Sequence, residues 1–301
     1  MMVETLVRLK DGISVLFMRS VSEPGFWMSL SLVAVAFLVL WHRSGYSFRW
    51  PCRLMKSVGA NISFFFLNMI FTPIVLVLAG FVQSAYDMLG VPTLDSGIWT
   101  PLPTWVLAFL AVLFYDFANY WNHRLMHMGW LWPVHAIHHS DPEVNGLTGY
   151  RIHFLEVFIM AASYVILLSW LGFPAEGMGL GAVFIALHGV YVHLDLDWGH
   201  GPLRYLIASP RFHRWHHADV PAAYGKNLAN IFPFFDVLFG TYRVPGPVTG
   251  PLGAQGVPEN DVVKLCLFPF TEWTRMLVSG VRQLGRRSSD GAAKQGETSG
   301  L

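Results

Sequence analysis

Charge is scarce in this sequence. Asp, Glu, Lys and Arg make up 13% of its 301 residues, against 53% hydrophobic ones, whereas an ordinary soluble domain carries about 25% charged residues. That balance excludes a plain water-soluble globule and makes an integral membrane protein the expectation. The 20 basic and 19 acidic residues leave a formal net charge of +1, without a long basic run, so no nucleic-acid partner is expected. Cysteine is scarcer still. Cys52 and Cys266 are the only two, too few for a disulfide framework or a Cys-ligated zinc module. Missing motifs remove further classes. His-Glu-x-x-His does not occur, which excludes the common zinc protease pattern. Glu-x-x-His does not occur either, which excludes a ferritin-like carboxylate di-iron bundle. No Gly-rich dinucleotide fingerprint stands in a strand-turn-helix context, so electrons for a redox reaction have to come from elsewhere. Near the N-terminus, Glu4 comes early and no apolar core ends in a small-residue cleavage site, so no cleaved signal peptide is expected.

Histidine, by contrast, is concentrated. Eight of the 13 histidines fall in three short boxes: His123 and His127; His135, His138 and His139; His213, His216 and His217. Positions i, i+3 and i+4 share one face of a helix, so each box aims its imidazoles in one direction. A single histidine in such a chain is more often a satisfied core or surface residue than a ligand. Eight gathered together would leave many buried ring nitrogens unpaired, each costing roughly 1–3 kcal/mol. A metal resolves this, since neutral imidazole is the commonest metal ligand, and eight ligands exceed what one tetrahedral ion takes. Two metals are the natural reading.

Hydropathy divides the rest of the chain. Residues 1–25 are weakly amphipathic and suit the membrane interface. Spans are expected at 26–41, 62–82, 102–122, 154–173 and 178–194, the first being short for a crossing that needs about 20 residues. Arg43, Arg49, Arg53 and Lys56 lie between the first two spans, and the positive-inside rule places that segment in the cytoplasm. The third span then ends at the first histidine box on the cytoplasmic side. The expected fold is an all-α, integral-membrane helical bundle of four to five spans with a cytoplasmic histidine-rich di-metal site. Its organisation is read as 1–60 (interfacial segment and first span), 61–245 (membrane-embedded domain) and 246–301, whose Ser-, Gly- and Lys-rich end from 286 should be disordered. Within the third span, Asp116 shares a helical face with Tyr120, His123 and His127. A carboxylate behind a ligand histidine commonly accepts its second ring N–H, and that is the role expected of Asp116. His188 and His193 lie near the inner end of the last span. His193, nearer the boxes, is the better candidate ligand of the two.

The three boxes, their order and their position after membrane spans resemble the fatty acid hydroxylase or sterol desaturase superfamily of integral-membrane di-iron oxidases. Tyr115-Asp116, Tyr120-Trp121, Leu131-Trp132, Ser209-Pro210 and Phe239-Gly240-Thr241 add to the resemblance, which covers roughly residues 105–243. Phe235 stands where the family usually has Trp. The resemblance implies that His123, His127, His135, His138, His139, His213, His216 and His217 hold two iron ions, and His193 sits where a further family ligand is common. It also implies O2 as co-substrate, a lipid substrate, and a separate electron donor, either a ferredoxin or a cytochrome-b-type protein with a reductase. Hydroxylation of a lipid C–H bond is the expected reaction, with lipid or sterol desaturation on the same site as the alternative. A zinc lipid hydrolase and a non-catalytic metal-binding or metal-transport protein are further readings. A transporter would place its ligands near the bilayer midplane on broken helices, whereas these boxes lie at span ends.

Overall fold

The computed structural model describes residues 52–298, with Trp27, Ser31, Ala34, Val35, Leu38 and His42 before them. The expected interfacial stretch 1–25 lies outside the described residues, as does nearly all of the expected first span at 26–41. Eight α-helices follow: α1 (Cys52–Leu89), α2 (Thr104–Met126), α3 (Trp132–His139), α4 (Phe154–Trp170), α5 (Ala175–Val192), α6 (Pro210–His216), α7 (Phe234–Leu238) and α8 (Val262–Thr298). No β-strand is present among the described residues, apart from one isolated bridge between Ala218 and Leu252. The all-α expectation holds.

Helices α1, α2, α4 and α5 form the body, and each overlaps one of the apolar runs read from the sequence. Helix α1 starts ten residues before the expected run, inside the basic segment. Its first turns are fixed by the loop after α3. There Asp141 accepts from Ser57 Oγ (2.6 Å), Asn61 Nδ2 (3.0 Å) and Thr148 Oγ1 (2.6 Å) and faces Arg151 Nη1 (3.4 Å). Helix α5 approaches α2 through Gly177 and Gly181. A Cβ on Gly177 would come within 2.6 Å of Leu107 Cβ, and one on Gly181 within 3.2 Å of Ala111 Cβ. Small residues four apart let two apolar helices touch backbone to backbone. At that same end Leu94 N donates to the Trp170 carbonyl (2.9 Å) and Trp99 Nε1 to the Leu171 carbonyl (2.8 Å). The α1–α2 and α4–α5 connections are thus tied together, while all three histidine boxes lie toward the opposite ends of these helices.

Among the described residues one segment, Cys52–Phe71, is both long and apolar enough to cross a membrane. Phe154–Trp170 and Gly177–Val192 are apolar but shorter. Helix α2 has ample length, but Asp116, Asn119, Asn122, His123 and Arg124 occupy its second half. The residues that make it the spine of the histidine site lower its hydropathy.

Helix α8 has no counterpart in the sequence reading. Asp261 Oδ1 accepts from Lys264 N (3.1 Å) at its start, as an N-cap residue does. Leu265 is fully buried with Phe64, Ala136 and Ile137, so α8 packs on α1 and α3. Further on, Trp273 Nε1 donates to the Trp130 carbonyl (2.6 Å). Its apolar residues form one stripe rather than a run, and Pro269 interrupts the pattern, so no span-like signal marks it. The helical backbone is described to Thr298.

Candidate metal centre

Helix α2 ends in the first box, α3 is almost entirely the second, and α6 carries the third. Ser209 caps α6 by accepting from Phe212 N (3.1 Å), with Pro210 in its first turn. His193 is the residue that ends α5. These four termini converge and gather all nine expected histidines into two groups. His123, His127, His135, His139 and His216 form one; His138, His193, His213 and His217 form the other. Within each group the candidate ligand nitrogens lie within 4.8 Å of one another. His138 and His139 are chain neighbours yet serve different groups, because successive helical residues are turned about 100° from each other. His188 belongs to neither group. It is buried with its ring stacked against Phe184 (5.8 Å between centroids).

The ring contacts test whether a metal fits. His123 Nδ1 donates to the Leu228 carbonyl (2.7 Å), and His135 Nδ1 to Glu156 Oε1 (2.8 Å). A carbonyl can only accept, so His123 carries its proton on Nδ1, and the carboxylate selects the same tautomer of His135. Their Nε2 lone pairs then face each other at 2.9 Å. His193 Nδ1 likewise donates to the Gly189 carbonyl (2.6 Å), leaving its Nε2 toward His213 Nε2 (2.8 Å) and His138 Nε2 (3.3 Å). His216 Nδ1 donates to the Lys226 carbonyl (2.9 Å). Facing lone pairs repel unless a cation lies between them. With metal–nitrogen bonds of about 2.1 Å, neighbouring nitrogens in an octahedral or tetrahedral shell stand about 3.0–3.4 Å apart, close to the separations found. Burial pushes His127, His135, His138, His139, His213, His216 and His217 well below the usual imidazole range, and neighbouring histidines push them further. They are held neutral, the form that binds a metal.

Asp116 does not act as the sequence suggested. It touches no histidine among the described contacts. Its oxygens accept from three consecutive backbone amides: Asn230 (2.9 Å), Ile231 (3.1 Å) and Phe232 (2.6 Å). Asp236 holds the same loop through Leu228 N (2.7 Å) and Ala229 N (2.9 Å). That loop supplies the carbonyls that orient His123 and His216, so Asp116 bears on the site through the backbone. The carboxylate in direct contact with a clustered histidine is Glu156, which the sequence reading passed over. Its signal was available: an acidic residue in the first turn of an otherwise apolar helix is a functional candidate by default.

Two cavities reach the histidines. One of about 280 Å³ lies among α2, α4 and α5 and touches both groups through His123, His135, His138, His193 and His213. Most of its remaining wall is apolar, including Met126, Ile152, Met160, Ile185 and Val190. The other, of about 490 Å³, is lined by loop residues such as Gly129, Asp219 and Gln255, and reaches His127, His139 and His216 of the five-histidine group.

Two buried all-histidine groups on helix ends define this as a helical protein with a candidate dinuclear metal site. Residues 108–241, which hold all three boxes, match the fatty acid hydroxylase family. That match covers somewhat less than half of the chain, and the proteins similar to it include lipid hydroxylases and monooxygenases. The chain is 32% identical to an ornithine lipid hydroxylase of Rhizobium tropici over 182 residues, 58% of this chain and 55% of that protein. It is 27% identical to the alkylglycerol monooxygenase of Homo sapiens over 218 residues, covering 71% and 46%. A very-long-chain aldehyde decarbonylase of Oryza sativa is 32% identical over 171 residues, covering 54% and 60%. The chain thus spans about half the length of the curated relatives it matches. No solved structure matches it significantly.

Proposed function

We propose that this chain is a multi-pass membrane oxygenase that holds two iron ions and uses O2 with external electrons to hydroxylate a C–H bond of a lipid. The observation that carries it is the pair of histidine groups whose proton-free nitrogens face one another beside a shared, mostly apolar cavity. Bound iron would supply the O2 activation needed for an unactivated C–H bond. The protein's part is positional. His123, His127, His135, His139 and His216 hold one ion, and His138, His193, His213 and His217 the other. Glu156 and the carbonyls of Gly189, Lys226 and Leu228 fix four of these rings. Met126, Met160, Ile185 and Val190 keep water from the substrate's reacting carbon. Electrons come from a separate ferredoxin or cytochrome-b-type donor.

Helices α1, α2, α4 and α5 cross the bilayer in this reading; at 17 residues or more each reaches the minimum of about 17 that a crossing takes. The histidine end faces the cytoplasm, following Arg53 and Lys56 in the first turns of α1. With Cys52 and Cys266 changed to Ser, a cysteine at exposed Ser96 should label from outside the cell and one at exposed Thr249 only from within. Labelling of position 96 from the cytoplasmic side would reverse the orientation.

Oxygen insertion and desaturation begin with the same hydrogen abstraction, and the names of the relatives include more than one outcome. Hydroxylation is favoured because the similar proteins include an ornithine lipid hydroxylase and several alkylglycerol monooxygenases. Lipids extracted from a host expressing the protein should contain a species 16 mass units heavier that is absent with His135→Ala. A species lighter by two would instead establish the desaturase reading.

A further inference from the structure

The cavity that touches both histidine groups is apolar except for a few side chains, and those are incompletely satisfied. Glu156 uses Oε1 on His135, while its Oε2 is buried and has no hydrogen-bond partner among the described residues. Asn119 Oδ1 is likewise buried and without a partner among them. The two residues are 2% and 4% exposed, and both line the cavity. The Tyr150 hydroxyl, on a third lining residue, is also buried without a partner among the described residues. A buried acceptor left unpaired costs about 1–3 kcal/mol. A pure hydrocarbon chain filling this space would leave all three atoms in that condition.

We propose that Glu156 and Asn119, with Tyr150, form a recognition site for a hydrogen-bond donor on the substrate, a hydroxyl or an amide N–H. This deepens the lipid-oxygenase reading and rests on it. The substrate is then a lipid carrying such a donor close to the oxidised carbon, not a plain alkyl chain. Spacing sets how close. Asn119 lies four residues before His123 on α2, on the same face, which is about 6 Å along the axis, the length of a few carbon–carbon bonds. Glu156 stands at the other side of the same histidine, touching His135, whose Nε2 is 2.9 Å from that of His123. A donor held between them places the neighbouring carbons beside the histidine pair. Glu156 thus has two roles on its two oxygens, one positioning His135 and the other binding substrate.

Binding can be read without turnover. The full chain, purified with its metal and kept free of reductant and O2, is titrated with hexadecane-1,2-diol and with 1,2-dimethoxyhexadecane, which has the same chain with its donors capped. We expect the diol to bind about tenfold more tightly, the equivalent of one good hydrogen bond. Asn119→Leu and Glu156→Gln should each cut that preference to about threefold or less, with Asn119→Ser, the milder change, intermediate. Metal content and Tm verify that each variant is folded; if none is, the wild-type ratio alone decides. Equal binding of diol and diether, or of neither, overturns the proposal, as does a preference that survives both changes; equal binding would mean that water satisfies these groups. With O2 and reductant restored, diol that binds but is not oxidised counts against the oxygenase reading and leaves the recognition site standing. Diether oxidised as readily as diol does the reverse.

Discussion

Changing His138 and His139 together to Ala should take the protein from two irons per chain to none. The two residues are adjacent, but His138 belongs to the four-histidine group and His139 to the five-histidine group. One local change therefore removes a ligand from each. The single variants should separate the sites: His138→Ala loses the ion of the four-histidine group alone, and His139→Ala that of the five-histidine group alone. Ligand loss matters doubly here because metal binding is linked to folding. Facing lone pairs at 2.8–2.9 Å repel once the cation is gone, so Tm should fall along with the metal. Elemental analysis of detergent-purified protein from iron-replete cells is the check. A wild-type stoichiometry of one metal, or zinc alone, would contradict the two-iron assignment.

Asp116→Ala has the next largest expected effect, and it acts at a distance. The carboxylate satisfies three buried backbone amides of the loop after α6. Removing it leaves them without that acceptor at roughly 1–3 kcal/mol each, a loss of about 3 kcal/mol or more against a total stability of about 5–15 kcal/mol. The same loop gives the Leu228 carbonyl to His123 and the Lys226 carbonyl to His216, both in the five-histidine group. Iron should therefore be lost from that group first, and the protein should retain about one ion per chain with a lowered Tm. Asp116→Asn keeps one acceptor oxygen and should fall between. Wild-type Tm and two irons in Asp116→Ala would mean that the loop is held by other contacts.

The histidine boxes were legible because their information is local: spacings of three and four residues on a helix state which side chains point together, whatever lies elsewhere in the chain. The apolar runs of α4 and α5 were legible for the same reason, and Gly172, at a φ of 55°, closes α4 where the sequence placed its end. Contacts spanning long stretches of chain were not legible. Asp116 meets amides 114 to 116 residues away, and no periodicity announces them, so proximity to His123 on one helical face suggested the wrong partner. Glu156 reaches His135 across 21 residues and an intervening loop. Helix α8 escaped notice because a narrow apolar stripe broken by Pro269 resembles a loop when only runs are sought. The division into five and four histidines depends on how four separate termini meet, and could not be read from any one box.

In the proposed reaction, oxygen from O2 enters a lipid at the histidine-lined cavity. Membranes containing the protein, a reductant and its electron-transfer partner are supplied with 18O2, and the extracted lipids are analysed by mass spectrometry. One 18O atom in a new lipid hydroxyl, absent with His135→Ala, is the predicted result. A new double bond with the label only in water, or no O2 consumption at all, would contradict it.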